Sequence, residues 1–213
     1  MSLSASTTAM AIGLLVSAEA LAQGDPPSAN ATVTDSMPHR FSVLTTWHAF
    51  TNWLGDDIEM YEFHAGYRLT ADDKVGIKAA TWKLYQPLGI PLWNSKLTDK
   101  SQRYPGRLRE SGAGAFYQRK LWKGLFAAAE VMLLRKTFLD HQDNELDSGI
   151  RLYTSYHLGY YVSFFNDRLF IEPQIHCNYW PVDSEGPPAF KELDDRWNNH
   201  FLFEPNLYIG INF

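Results

Sequence analysis

From residue 40 to residue 213 the apolar residues recur every second position rather than every three to four, and they do so in eight separate segments. Residues 58–69 set Tyr61, Phe63, Ala65, Tyr67 and Leu69 against Glu62, His64, Gly66 and Arg68. Residues 74–85 set Val75, Ile77 and Ala79 against Lys74, Gly76, Lys78 and Ala80. The alternation is fullest in 149–165, where Ile150, Leu152, Thr154, Tyr156, Leu158, Tyr160, Val162 and Phe164 oppose Arg151, Ser155, His157, Gly159 and Ser163. Residues 168–180 set Leu169, Ile171, Pro173, Ile175, Cys177 and Tyr179 against Glu172, Gln174, His176 and Asn178. Residues 200–213 place Phe201, Phe203, Pro205, Leu207, Ile209, Ile211 and Phe213 on one face, with Leu202 alone breaking the order. Segments 40–50 and 110–120 alternate more loosely, and the Ala and Leu of 125–138 would also suit a helix. Such a chain folds as an antiparallel β-structure whose strands each have one apolar and one polar face.

The connections narrow this further. The second, fourth and sixth ("TADDK", "RKLWKG", "FNDR") are tight turns, whereas 51–57, 86–109, 139–148 and 181–199 are longer. Short turns at one end and long loops at the other describe an eight-stranded up-and-down barrel of the transmembrane kind. A soluble, lipocalin-like ligand-binding barrel has the same alternation with its apolar face inward. Three features favour the membrane arrangement. Aromatics lie towards segment ends (Tyr61, Tyr67, Tyr156, Phe164, Tyr179, Phe201, Phe213), as interfacial girdles do. The polar faces carry Gly66, Gly76, Gly159 and Gly210, suited to a crowded lumen. Each segment is also long enough for a tilted strand to cross a hydrocarbon core, about 9–11 residues. Pro173 and Pro205 each remove a ladder donor, so a bulge or an end of pairing is expected at both.

Aromatic residues make up 15% of the chain, which those girdles would absorb. Net charge is −5 and the isoelectric point about 5.8, giving no basis for nucleic-acid binding. One cysteine, Cys177, excludes an internal disulfide and any cysteine-rich zinc site, and reads as a small apolar filler. The first 22 residues read as a signal peptide, with an apolar run ending in Ala20-Leu21-Ala22, although "MSLSASTTAM" lacks the usual Lys or Arg. Residues 23–39, with Gly24, Pro26, Pro27 and Pro38, read as a flexible lead-in to a barrel spanning 40–213.

With a leader, eight alternating segments and a final aromatic strand, the sequence resembles the small eight-stranded outer-membrane β-barrel proteins of Gram-negative bacteria. The resemblance implies an outer-membrane location among lipid and lipopolysaccharide. It also implies recognition of Leu207, Ile209, Ile211 and Phe213 by the barrel-assembly machinery. It does not choose among the anchors, adhesins, binding proteins and lipid A-modifying enzymes that share this architecture.

The inward row of such a barrel would hold Glu62, His64, Arg68, Lys78, Glu130, Arg151, His157, Glu172, His176 and Glu204. Acids and bases packed together satisfy one another, so the expectation is a plugged polar lumen in an envelope structural or loop-mediated binding protein. Ser155, His157 and Glu172 are the parts of an activated serine nucleophile and define a deacylase-like alternative. The His-x-Ser pair of the lipid A deacylases is replaced here by Ser155-Tyr156-His157, and nothing matches the palmitoyltransferase loops. His64, His157 and His176 lack local ligand spacing, so neither a metal nor another cofactor is expected. The link 86–109 carries Lys96, Lys100, Arg103, Arg107 and Arg109, a candidate surface for lipopolysaccharide phosphates. The acidic "DHQDNELD" lacks the Gly and final Glu of an EF-hand. The loops 86–109 and 181–199 are the candidate sites for an extracellular ligand.

Overall fold

The computed structural model describes residues 39–52 and 59–213; the expected signal peptide and nearly all of the lead-in lie outside them. The strands are β1 (Phe41–Thr46), β2 (Met60–Arg68), β3 (Asp73–Leu84), β4 (Arg107–Trp122), β5 (Leu125–Leu139), β6 (Glu145–Tyr160), β7 (Val162–Phe164), β8 (Leu169–Asp183) and β9 (His200–Asn212). Two short helices, α1 (His48–Thr51) and α2 (Pro188–Asp194), lie in the connections. Consecutive strands pair antiparallel except that β6 and β7 both pair with β8, and β1 closes on β9 through Ser42↔Asn212 to Thr46↔Tyr208. β6 and β7 are one stave broken at Tyr161, so the closed ring has eight staves and no free edge.

The ring is inverted relative to a soluble barrel. Ile77 is 68% exposed on the outside and its neighbours Lys78 and Lys74 are buried inside; Leu133 is 58% exposed while Leu134 and Met132 are fully buried. The same alternation runs through Phe63, Tyr156, Leu158, Ile175 and Ile211 outward and Glu62, His64, Ser155, His157 and Gln174 inward. A lipocalin-like arrangement needs the opposite assignment. At β4, β5 and β6 the strands reach 16, 15 and 16 residues. That is several residues more than the roughly 9–11 a tilted strand needs to cross a bilayer.

The short-turn end is built for tightness. Lys123 takes a left-handed conformation in the two-residue link to β5, and Phe165, Asn166 and Asp167 do so before β8. In the lumen nearby, phenyl rings lie over inward glycines. A Cβ on Gly76 would sit 2.5 Å from the Phe116 ring, and one on Gly210 would sit 2.3 Å from that of Phe170. Phe126 covers Gly159 in the same way. These glycines let three large side chains fill a cross-section only wide enough for side chains.

Several sequence expectations are corrected. Segment 40–50 is a strand only to Thr46; residues 48–51 turn into α1. The Ala- and Leu-rich 125–138 is strand β5, held by pairing on both sides. The link 139–148 is a compact turn at 140–144, because Asp140 accepts backbone N–H bonds from Gln142 and Asn144 and draws the ends of β5 and β6 together. β4 begins at Arg107, which takes Arg107 and Arg109 out of the loop. In β9 the discordant Leu202 marks a bulge. Phe203 has φ 59°, the register shifts between His176 and Cys177, and Leu202 and Phe203 both face out. Phe201, opposite inward Asn178, consequently packs inside and not on the outer surface, while His200 pairs with outward Tyr179.

Both prolines sit where pairing is interrupted. Pro173 lies in the gap between Gly159↔Gln174 and Val162↔Ile171, where Tyr161 leaves the ladder and donates its N–H to Gly124. Pro205 lies beyond the end of β1, where β9 pairs with β8 alone.

Candidate functional site

The lumen is filled in tiers. At the short-turn end Arg68 donates to Asp167 at 2.6 Å and to the Tyr161 hydroxyl at 2.8 Å, and Asn212 bonds the same hydroxyl. One tier further in, Lys74 and Gln118 converge on Glu172 at 3.0 and 2.9 Å, beside the phenylalanines.

The central tier is organised by Lys78 on β3. Its Nζ lies 2.9 Å from Glu62 of β2 and 2.7 Å from Glu130 of β5, and all three side chains are nearly inaccessible to solvent. Glu62 also meets His64 Nε2 at 3.0 Å and accepts from the Tyr208 hydroxyl. His157 contacts Gln174 through Nδ1 at 3.0 Å and approaches Glu130 to 3.7 Å, and its ring stacks on His176 at 3.8 Å between centroids. Beside it, Ser155 donates to Asn178 at 2.5 Å and Asn178 donates to Glu204 at 2.6 Å. Between the central and lower tiers the lumen leaves a space of about 20 Å³, room for one water.

Towards the long loops, Arg151 lies 2.7 Å from Glu110 and 2.8 Å from Asp183, which also binds Lys136 at 2.6 Å. Around this group the inward residues become apolar: Trp82, Leu84, Leu108, Met132, Leu134, Phe138, Tyr153 and Trp180 form one cluster. The loops complete it. Phe190 and Leu193 of α2 pack into the cluster, Tyr104 stacks on Phe190 at 4.9 Å, and its hydroxyl donates to Asp194 at 2.5 Å. Burial pushes the Asp194 carboxyl above its ordinary range, against the hydrogen bond from Tyr104 that lowers it.

The upper lumen is not solid. A cavity of about 560 Å³ descends from the loop 85–106 to the central charges. Its walls include Trp82, Tyr153, Trp180 and Phe201, and its floor Glu62, Lys78, Glu130, His176 and Glu204. The expected polar plug thus occupies the short-turn half, and the aromatic rings above it are too widely spaced to fill the rest.

The structure brings nine of the ten residues expected in the lumen into these tiers of contacts; His176 joins through its ring stack alone. It does not assemble a nucleophile. Ser155 is fully buried and bonded to Asn178, His157 to Gln174, and Glu172 lies a tier away with Lys74 and Gln118. Among the described residues no cluster of His, Cys, Asp or Glu has metal-binding geometry. Sequence reasoning omitted Lys74, Gln118, Glu110, Lys136 and Asp183 from the site. Lys136 could have been found by carrying the period of two from Glu130 onward; Asp183 was hidden by ending its strand at residue 180, and Glu110 stood at the edge of a weakly alternating segment whose start was set too late. In the basic loop, Lys96 pairs with Asp99 at 2.7 Å, while Arg107 and Arg109, now in β4, pair with Asp143 and Glu59 at 3.0 and 3.2 Å. Lys100 and Arg103 of that set have no carboxylate partner among the described residues.

No protein-family model matches the chain, and no curated protein matches it. Among solved structures it is similar to the crystal structure of Neisserial surface protein A (NspA), at 16% identity and a TM-score of 0.41, over 81% of this chain and 93% of that one.

Proposed function

We propose that this chain is an outer-membrane barrel of a Gram-negative envelope, closed to conduction, that acts as a binding protein through the cavity at its long-loop end. The observation that carries the reading is the inverted surface: a closed ring with bulky apolar side chains outside and paired charges inside. In water that arrangement would expose apolar area and bury charge at once, both unfavourable; in lipid the outer row is solvated by acyl chains. Leu207, Ile209 and Phe213 of the final strand fall on that outer face with Ile211, which is 45% exposed, and would present an apolar row to the assembly machinery. Closure to ions is supported by the tiers beneath the cavity, where Lys78, Lys74 and the three phenylalanines fill the cross-section.

The protein should fractionate with the outer membrane and migrate faster on gels when unheated, and planar bilayers containing it should show no ion conductance above the protein-free baseline. Recovery in the periplasmic fraction would overturn the location, and steady conductance would overturn the closed lumen.

A further inference from the structure

The cavity has a chemistry of its own, set by a separation of aromatic walls from an acidic floor. Tyr153 stands edge-on to Trp82 at 5.2 Å between centroids and parallel to Trp180 at 6.3 Å, and Phe201 enters the same space because of the β9 bulge. The floor carries three carboxylates, Glu62, Glu130 and Glu204, but one ammonium, Lys78, which Glu62 and Glu130 share. The floor therefore carries more carboxylates than ammonium groups. The other lining cations lie nearer the mouth: Lys83 is held by Glu59, and Arg103 belongs to the loop.

Glu204 is the group without a counterion. Asn178 donates to one of its oxygens at 2.6 Å, and no Lys, Arg or His among the described residues pairs with it. Beside it His176, only 4% exposed, lines the cavity with a ring nitrogen that makes no hydrogen bond, and the indole N–H of Trp82 is likewise unpartnered. Buried polar groups and carboxylates left open in this way are unfavourable unless something else satisfies them. Aromatic faces and a desolvated carboxylate together attract organic cations, whose diffuse charge is favoured by ring faces and balanced by the acid.

We propose that the cavity binds an organic cation: an amine or quaternary ammonium with an apolar body, seated with its charge towards Glu204 and its body between Trp82, Tyr153, Trp180 and Phe201. The volume, about 560 Å³, is that of a small-molecule site. This assignment rests on the reading of the cavity as a binding site and adds the class of ligand to it.

The test is calorimetric titration of the folded protein in a non-ionic maltoside, corrected for partition into protein-free micelles. Three probes of one shape are compared: benzyltrimethylammonium, its neutral isostere neopentylbenzene, and benzylsulfonate. The cation should bind at least about tenfold more tightly than either, the scale of a desolvated cation held over aromatic faces beside a carboxylate. Glu204→Gln should remove most of that preference, with heat-modifiable gel mobility confirming that the variant folds. Equal affinity for the three probes, preference for the sulfonate, or an unaltered preference in Glu204→Gln would overturn the ligand class and leave the binding cavity standing. Absence of binding by all three probes would overturn both.

Discussion

Leu133→Arg should destabilise the barrel in phospholipid bilayers by about 2–4 kcal/mol, the scale measured for a cation on the lipid face near the bilayer midplane. Leu133 lies at the middle of β5, opposite Ala113 on β4 and Leu152 on β6, with 58% of its surface exposed. An exposed leucine on a water-facing barrel would tolerate the same change within about 0.5 kcal/mol, because an exposed arginine loses no hydration. Urea unfolding in vesicles separates the two outcomes. A control at Tyr117, outward on β4 near the short-turn end, should respond far less, since the cost of a cation falls towards the interface.

Lys78→Met should cost about 3–5 kcal/mol, the usual consequence of removing one partner from a buried ion pair. Lys78 is the one ammonium contacting both Glu62 and Glu130, so its loss leaves two buried carboxylates without their shared cation. The triple variant Lys78→Met, Glu62→Gln, Glu130→Gln should recover most of the loss, because it removes the uncompensated charges along with the cation. Equilibrium unfolding of the single and triple variants measures this coupling. Equal destabilisation by both would mean that packing, and not charge, holds this tier together.

The architecture was legible because a barrel strand writes its two faces into alternate residues, and eight such segments with alternating link lengths leave few topologies. Glu62, His64 and Lys78 could be placed in the lumen from that pattern alone, since each sits in an unbroken run. Where the period slips, the reading fails with it. Leu202 announced an irregularity, but the sequence does not say that Phe203 would take a left-handed conformation and swing Phe201 inward. The cavity was illegible for a related reason. Its walls come from Trp82, Tyr153, Trp180 and Phe201 on four different strands, and its roof from loop residues whose approach no periodicity encodes. Strand ends near Glu110 and Asp183 were misplaced because charged residues there read as loop, although inside the barrel they face Arg151 and Lys136.

The native cysteine offers a direct test of the central claim that the outer row faces lipid and the inner row does not. Cys177 lies within β8, next to Tyr156 on β6 and Leu202 on β9, both outward. A nitroxide attached to Cys177 of the protein in phospholipid vesicles can be tested for collision with molecular oxygen, which concentrates in the hydrocarbon, and with a water-soluble nickel chelate. The inverted barrel predicts strong relaxation by oxygen and little by the chelate. Strong relaxation by the chelate and little by oxygen would place Cys177 in water and contradict the account.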